Sequence, residues 1–200
     1  MSKNKKKIII ATGGTGGHVF PAYSLASYFL EKNISTEIVI DARGFKFIQH
    51  YNFPNIKIIN SSTIFKKNPI LFFQAFLKII YAFFKSFLFL IKSRPTILFG
   101  MGGYASFPIC LAAKILRIPF IIYESNLYIG KANKYLLPFS HKLFVAYKET
   151  EGILEKYISK KVEIGNIIRK EILNYEPKKK SNFGNKINIL ILGGSQAAKS

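Results

Sequence analysis

The feature that most constrains the fold of this chain is the alternation of short, wholly apolar segments with longer helix-forming segments. The apolar segments are rich in Ile, Val and Phe with little polar alternation, as expected for strands buried on both faces of a parallel sheet. Strands are predicted at residues 7–11, 37–41, 56–60, 96–99, 120–123, 142–146, 162–164 and 187–192. Helices are predicted at residues 21–32, 69–92, 105–116, 131–136 and 149–157. This alternation predicts an α/β fold, a doubly wound parallel sheet of the Rossmann type, which binds ligands at the carboxyl ends of its strands.

A polar segment divides the chain into two unequal parts. Residues 175–185 contain Pro, Gly and three Lys, which is typical of a linker. The apolar strand that follows leads into Gly193-Gly194-Ser195-Gln196, and this arrangement repeats the one at the start of the chain. We therefore predict an N-terminal α/β domain at residues 1–165, an interdomain linker at 166–186, and the incomplete start of a second, similar domain at 187–200.

The charge of the chain favours an anionic partner. Thirty Lys and Arg against ten Asp and Glu give a formal net charge of +20 at pH 7. An acidic membrane surface, a phosphorylated substrate and nucleic acid would all suit this charge. No recognised nucleic-acid-binding motif accompanies it, so a nucleic-acid partner is not expected.

Two further features bear on the compartment. Cys110 is the only cysteine, which excludes an intrachain disulfide, and its apolar neighbours predict a buried structural thiol. The apolar run that begins at Ile8 ends at Gly13-Gly14 and is too short for a signal peptide. The protein is therefore expected to stay in the cytoplasm.

The first predicted strand is followed by the loop Gly13-Gly14-Thr15-Gly16-Gly17-His18. Glycine permits a positive φ and lets backbone N–H groups approach a ligand, and the helix N-terminus that follows favours an anion. The loop predicts a diphosphate ligand. Val19 stands where a dinucleotide fingerprint has its third Gly, and no Gly-Lys-Ser/Thr of a P-loop follows. His18 is a candidate general base, with a helix-capping or surface role as the alternative.

Two more polar segments follow neighbouring strands. The first is the glycine loop Gly100-Met101-Gly102-Gly103-Tyr104, and the second is Glu124-Ser125-Asn126. Because the carboxyl ends of parallel strands meet at one edge, we expect both segments to face one cleft with the first loop. The two glycine loops would offer N–H groups to phosphates, and Glu124 and Asn126 would bind sugar hydroxyls. The alternative for Glu124 is to cap the next helix.

Five segments resemble, in the same order, the motifs of the MurG family, glycosyltransferase family 28. They lie at residues 10–22, 100–106, 124–126, 165–172 and 192–196. The chain departs from the family pattern at five positions. Phe107 stands in place of a small residue, Tyr123 in place of His, and Ser125 in place of Gln. Ile167 stands in place of Pro, and Ala197 in place of Gly.

The resemblance implies a GT-B fold of two similar domains and an inverting hexosyltransferase that needs no metal or other cofactor. It implies transfer of N-acetylglucosamine from UDP-N-acetylglucosamine to the C4 hydroxyl of undecaprenyl-diphospho-MurNAc-pentapeptide, which is lipid I, in peptidoglycan synthesis. His18 would activate the acceptor hydroxyl, with Glu124 as its rival. The substrate-binding residues implied are Thr15, Gly16, Gly17, Asn126, Arg169 and Ser195 for the donor, and Gly14, Gly103 and Tyr104 as further contacts.

The most apolar stretch begins at Ile70 and ends at Ile91. Its length equals the roughly 20 residues that a membrane-spanning helix needs. Lys78 and Lys85 lie inside it, however, and each costs about 2.5–3.5 kcal/mol at a membrane centre. We therefore predict a helix that lies in the membrane interface; an ordinary core helix and a true span are the alternatives.

Nearby lysines favour contact with an anionic membrane surface. Lys66 and Lys67 precede the stretch and could bind acidic headgroups. The family resemblance also implies a hydrophobic patch on this domain that reaches a lipid-anchored acceptor. A peripheral protein at the cytoplasmic face of the bacterial membrane is expected.

Three other functions compete with a lipid I transferase. The chain could be a non-catalytic acceptor-binding module that needs a separate donor domain. It could be a related GT-B enzyme that acts on another glycolipid, although residues 18–21 and 102–104 match the MurG family instead. Nucleic-acid binding is supported by net charge alone.

Overall fold

A computed structural model describes residues 6–62 and 68–176 and contains the predicted parallel sheet. Its seven strands are β1 (Lys7–Thr12), β2 (Ser35–Ile40), β3 (Ile56–Ile58), β4 (Ile97–Gly100), β5 (Phe120–Glu124), β6 (Lys142–Val145) and β7 (Lys161–Glu163). They are ordered β3-β2-β1-β4-β5-β6-β7, and each neighbouring pair is parallel. The direction of strand addition reverses between β1 and β4, so the switch point of the doubly wound sheet lies between these two strands.

Five helices and one 3₁₀ helix connect the described strands, and a sixth helix follows β7. They are α1 (Gly16–Glu31), α2 (Ala42–Phe45), α3 (Pro69–Ser93), α4 (Ser106–Ile115), α5 (Lys131–Leu136), a 3₁₀ helix (Glu155–Lys160) and α6 (Lys170–Leu173). Helix α1 begins five residues before the predicted start because the Thr15 carbonyl already accepts from the backbone N–H groups of His18 and Val19. Pro21 therefore lies in the second turn of α1, not in its first.

The helix predicted at residues 149–157 is wrong. Gly152 takes a φ of +79°, which interrupts a right-handed helix. Glu151 instead forms an isolated parallel bridge with Tyr128. The predicted strand at 187–192 lies outside the described residues, as do Lys66, Lys67 and Ser195.

Helices cover both faces of the sheet and enclose two apolar clusters. On one face, Val19, Ala22 and Ala26 of α1 pack on β1 and β2. On the other face, α3 and α4 contribute buried residues such as Leu90 and Ile109 to the second cluster. Cys110 belongs to this second cluster and is fully buried, which confirms the predicted structural thiol and raises its pKa.

Helix α3 is 25 residues long and largely uncovered. It begins where the Asn68 side chain accepts from the N–H groups of Ile70 and Leu71. Its buried residues form one narrow stripe, Ala75, Ala82, Ser86 and Leu90. Only 22% of its most apolar window is buried, although the helix is long and apolar enough to cross a membrane by length and composition. Most of its large apolar side chains are exposed within the described part of the chain.

Candidate active site

The loops that leave β1, β4 and β5 meet at one edge of the sheet and enclose a polar pocket of about 130 Å³. His18, the second glycine loop and the loop after β5 all line this pocket. Of the predicted site residues, the structure brings together here His18, Gly103, Tyr104, Glu124 and Asn126. Parallel strands place these residues at the same edge, as their sequence positions predicted.

His18 lies against the second glycine loop. A Cβ atom on Gly102 would stand 2.9 Å from both Cε1 and Nδ1 of the imidazole, so only glycine fits beneath the ring. Gly102 also takes a φ of +84°, which favours glycine. A Cβ on Gly103 would stand 2.9 Å from the Gly13 carbonyl oxygen, so the two glycine loops are in direct contact.

The burial of His18 favours the neutral form of its imidazole. Burial lowers the pKa of His18, and this outweighs the opposite effects of the Glu124 carboxylate and of a hydrogen bond to the Met101 backbone. A neutral imidazole that donates one ring N–H to a carbonyl keeps its other nitrogen as a proton acceptor. The arrangement therefore suits general-base chemistry.

Glu124 is buried and its oxygens are already occupied. Its Oε1 accepts from the backbone N–H of Asn126 at 3.1 Å and from the Asn126 side chain at 2.6 Å. Its Oε2 accepts from the Gly130 N–H at 2.8 Å and from the Asn133 side chain at 2.9 Å. Four donors use the lone-pair directions of a carboxylate, so Glu124 organises the loop after β5.

The first glycine loop presents the N-terminus of α1 to the same edge. Thr15 is the N-cap residue and its side chain forms no capping hydrogen bond. The N–H groups of the first turn of a helix have no partner within the helix. Gly16 and Gly17, which open α1, thus place backbone donors and a positive dipole end where an anion is favoured.

Asp41 fixes the first glycine loop and was not among the site residues predicted from the sequence. It follows β2 directly and is nearly fully buried. Its Oδ1 accepts from the N–H of Gly14 at 2.9 Å and from the N–H of Gly44 at 2.8 Å. The Gly14 amide therefore holds the loop to the sheet. The position of Asp41 at the carboxyl end of a predicted strand was the available signal.

Arg169, a predicted donor contact, lies elsewhere in the fold. The Arg169 guanidinium stacks on the ring of Phe20 in α1, 4.4 Å from its centroid, and does not line the polar pocket. Ser195 lies outside the described residues. In residues 6–62 and 68–176, no three His, Cys, Asp or Glu side chains are grouped so that they could hold a metal ion.

Tyr123 ties the segment before Arg169 to the sheet. Its hydroxyl donates to the Gly165 carbonyl at 3.2 Å and accepts from the Ile167 N–H at 3.3 Å. Burial raises the pKa of Tyr123, so the hydroxyl stays protonated and can donate. The phenol therefore anchors the segment that leads to α6.

Comparisons with known proteins agree with this architecture. A profile described as the glycosyltransferase family 28 N-terminal domain matches residues 8–145. The UDP-N-acetylglucosamine–N-acetylmuramyl-(pentapeptide) pyrophosphoryl-undecaprenol N-acetylglucosamine transferase of Pelagibacter ubique is 38% identical over 97% of this chain and 53% of the relative. The transferase of the same name from Francisella tularensis is 36% identical over 100% of this chain and 55% of the relative.

Solved structures with a similar fold include a MurG enzyme and a UDP-GlcNAc 2-epimerase. The crystal structure of Acinetobacter baumannii MurG matches with a TM-score of 0.65 and 26% identity, over 79% of this chain and 45% of that one. A UDP-GlcNAc 2-epimerase from Neisseria meningitidis matches with a TM-score of 0.57 and 18% identity, over 80% of this chain and 46% of that one, which supports the fold alone.

The doubly wound sheet and the two glycine loops at its switch point define an α/β domain of the GT-B class. Within that class, the chain belongs to glycosyltransferase family 28. It spans about half the length of the relatives that it matches.

Proposed function

We propose that this chain binds the lipid-linked acceptor in the transfer of N-acetylglucosamine from UDP-N-acetylglucosamine to undecaprenyl-diphospho-MurNAc-pentapeptide. The observation that carries the proposal is the position of His18, whose imidazole lies against Gly102 in a pocket shared with Asn126. The Pelagibacter and Francisella relatives carry the name of this reaction.

In the proposed reaction, His18 is the general base. The C4 hydroxyl oxygen of the muramoyl sugar attacks the anomeric carbon of N-acetylglucosamine, and its proton passes to the free ring nitrogen of His18. The bond between the anomeric carbon and UDP breaks, and UDP leaves with the electron pair. Glu124 takes no proton in this scheme, since its four hydrogen bonds position Asn126 and the loop after β5.

The phosphate groups would bind at the two glycine loops. The amides of Gly16 and Gly17 at the start of α1, with Thr15 before them, suit a diphosphate. Gly103 and Tyr104 would contact the acceptor from the second loop, and Asn126 would bind a sugar hydroxyl. Arg169 would reach the donor from its position on Phe20.

Residues 1–165 would bind the acceptor and the membrane. Residues 166–186 would connect this domain to a donor-binding domain that starts at 187, and Ser195 would contact the donor there. The exposed apolar side chains of α3 would lie in the cytoplasmic face of the membrane as a peripheral contact, with lysines against anionic headgroups.

The decisive experiment is a transfer assay. Labelled N-acetylglucosamine would be followed from UDP-N-acetylglucosamine to a short-chain lipid I analogue, with this chain alone and mixed with a separately produced C-terminal half of the Pelagibacter relative. We expect product in the mixture, and a loss of about 10²-fold or more with His18→Gln, as for removal of a general base. No product despite retained acceptor binding would make the chain a non-catalytic acceptor-binding module.

A further inference from the structure

A second pocket adjoins the polar pocket and is apolar. It lies between α3, α4 and α5, where Ile79, Phe107 and Tyr135 contribute side chains to its wall. Tyr104, Lys131 and Ala132 line both pockets. A ligand could therefore extend from the polar pocket into the apolar one without leaving the protein surface.

We propose that the apolar pocket binds the first isoprene units of a polyprenyl diphosphate whose diphosphate occupies the glycine loops. This inference rests on the proposed function and names the part of the acceptor that the second pocket holds. A polyprenyl diphosphate is anionic at one end and purely apolar at the other. The polar pocket beside the glycine loops would take the anionic end, and the adjoining apolar pocket would take the apolar end.

The position of the pocket also fits a chain that continues into a membrane. Ile79 belongs to α3, and its neighbours on the helix include the exposed side chains of Phe76 and Ile80. A prenyl chain that leaves the pocket past Ile79 would run onto the exposed apolar surface of α3. Burial of apolar carbon contributes about 0.8 kcal/mol for each CH₂ group, so even one isoprene unit would add measurable affinity.

Phe107 forms one wall of the apolar pocket. Its phenyl ring is partly buried against the core of the domain. The ring offers apolar surface to a ligand in the pocket. Phe107 is therefore expected to determine how tightly the first isoprene units are held.

The experiment compares two probes, farnesyl diphosphate and inorganic diphosphate, by calorimetry on the 200-residue chain. We expect farnesyl diphosphate to bind about tenfold or more tightly than inorganic diphosphate, since one buried isoprene unit suffices for that ratio. Phe107→Ala and Ile79→Ala should each reduce the ratio several-fold and leave the affinity for inorganic diphosphate unchanged. Leu88→Ala, on the exposed side of α3 and away from the pocket, is the matched control and should change neither.

Crosslinking provides a second measurement that does not depend on the variants. A diazirine on the first isoprene unit of a prenyl diphosphate should label residues of the apolar pocket, and farnesyl diphosphate should compete. Equal affinities for the two probes would overturn the pocket assignment but leave the proposed reaction intact. Binding of neither probe would overturn the diphosphate site itself. Labelling of the pocket by phospholipid acyl chains, without competition, would make it a membrane contact and also overturn the proposal.

Discussion

The carboxylate of Asp41 is hydrogen bonded to the backbone of Gly14, with 2.9 Å between Oδ1 and the glycine nitrogen. The same oxygen accepts from Gly44, so one buried side chain joins the first glycine loop, the end of β2 and the start of α2. The loop that opens the candidate site is thus held from the sheet side by a residue that lies outside the loop.

Replacement of Asp41 by Ala should destabilise the chain. It would leave two buried N–H groups without a partner, each of which costs about 1–3 kcal/mol. Urea unfolding should show a loss of about 2 kcal/mol or more for Asp41→Ala, and less for Asp41→Asn, which keeps an acceptor oxygen. An unchanged unfolding midpoint in the alanine variant would contradict this role.

Gly102→Ala should displace the His18 imidazole. The new Cβ would stand 2.9 Å from two ring atoms of His18, in a backbone with φ of +84°. Gly165→Ala is the matched control, because Gly165 has a similar φ of +79° but no atom within 4 Å of the added Cβ. Both variants should lose about 1–2 kcal/mol through backbone strain. Only Gly102→Ala should shift the imidazole signals in NMR spectra; equal shifts in both would refute steric displacement.

The stability of the chain should depend on pH through His18. Burial lowers the pKa of His18 in the folded state below its ordinary value of 6.5, so the unfolded chain takes up a proton first as pH falls. The contribution of the neutral His18 imidazole to the free energy of unfolding is complete well above pH 6.5 and is lost progressively below it. Unfolding free energies between about pH 5 and 7.5 should rise with pH in the wild type and rise less steeply in His18→Gln. Identical slopes would show that His18 is not the group responsible; His50 and His141 are retained in both chains.

Glu124→Gln should be costly although it is nearly isosteric. The new NH₂ group would face donors from Gly130 and Asn133, or from Asn126, where a carboxylate oxygen now accepts. We expect a loss of about 1–3 kcal/mol in urea unfolding. Glu149→Gln, at an exposed position, serves as the control and should be neutral. If Glu124→Gln were neutral as well, its hydrogen-bond network would not be a structural requirement.

The exposed side of α3 should govern binding to anionic vesicles. Leu88 is 66% exposed on α3, and Leu154, which is 53% exposed, lies outside that helix. Leu88→Asp should weaken cosedimentation with phosphatidylglycerol vesicles by about tenfold or more, because an apolar contact is lost and a charge must be desolvated. Leu154→Asp should have little effect. Comparable losses in both variants would argue for non-specific attraction by net charge.

Much of the fold could be predicted from local patterns. The buried strands are continuous apolar runs, and all seven within the described residues lie where the runs predicted them. The start of α1 could not be predicted, since Gly16 and Gly17 are poor helix formers. The helix begins there because the loop geometry lets the Thr15 carbonyl accept from His18 and Val19. The positive φ of Gly152 likewise interrupts the helix that was predicted at residues 149–157.

The candidate site could likewise be predicted only in part. The sequence determined that His18, the second glycine loop and Glu124 share one edge, because parallel strands must present their carboxyl ends together. Only the tertiary structure decided their roles. The four donors on Glu124, the hold of Asp41 on Gly14, and the apolar pocket beside Phe107 arise between segments distant along the chain. Periodicity encodes which residues are buried and in which direction a strand runs, whereas hydrogen-bond partners depend on distances that exist only after the sheet has assembled.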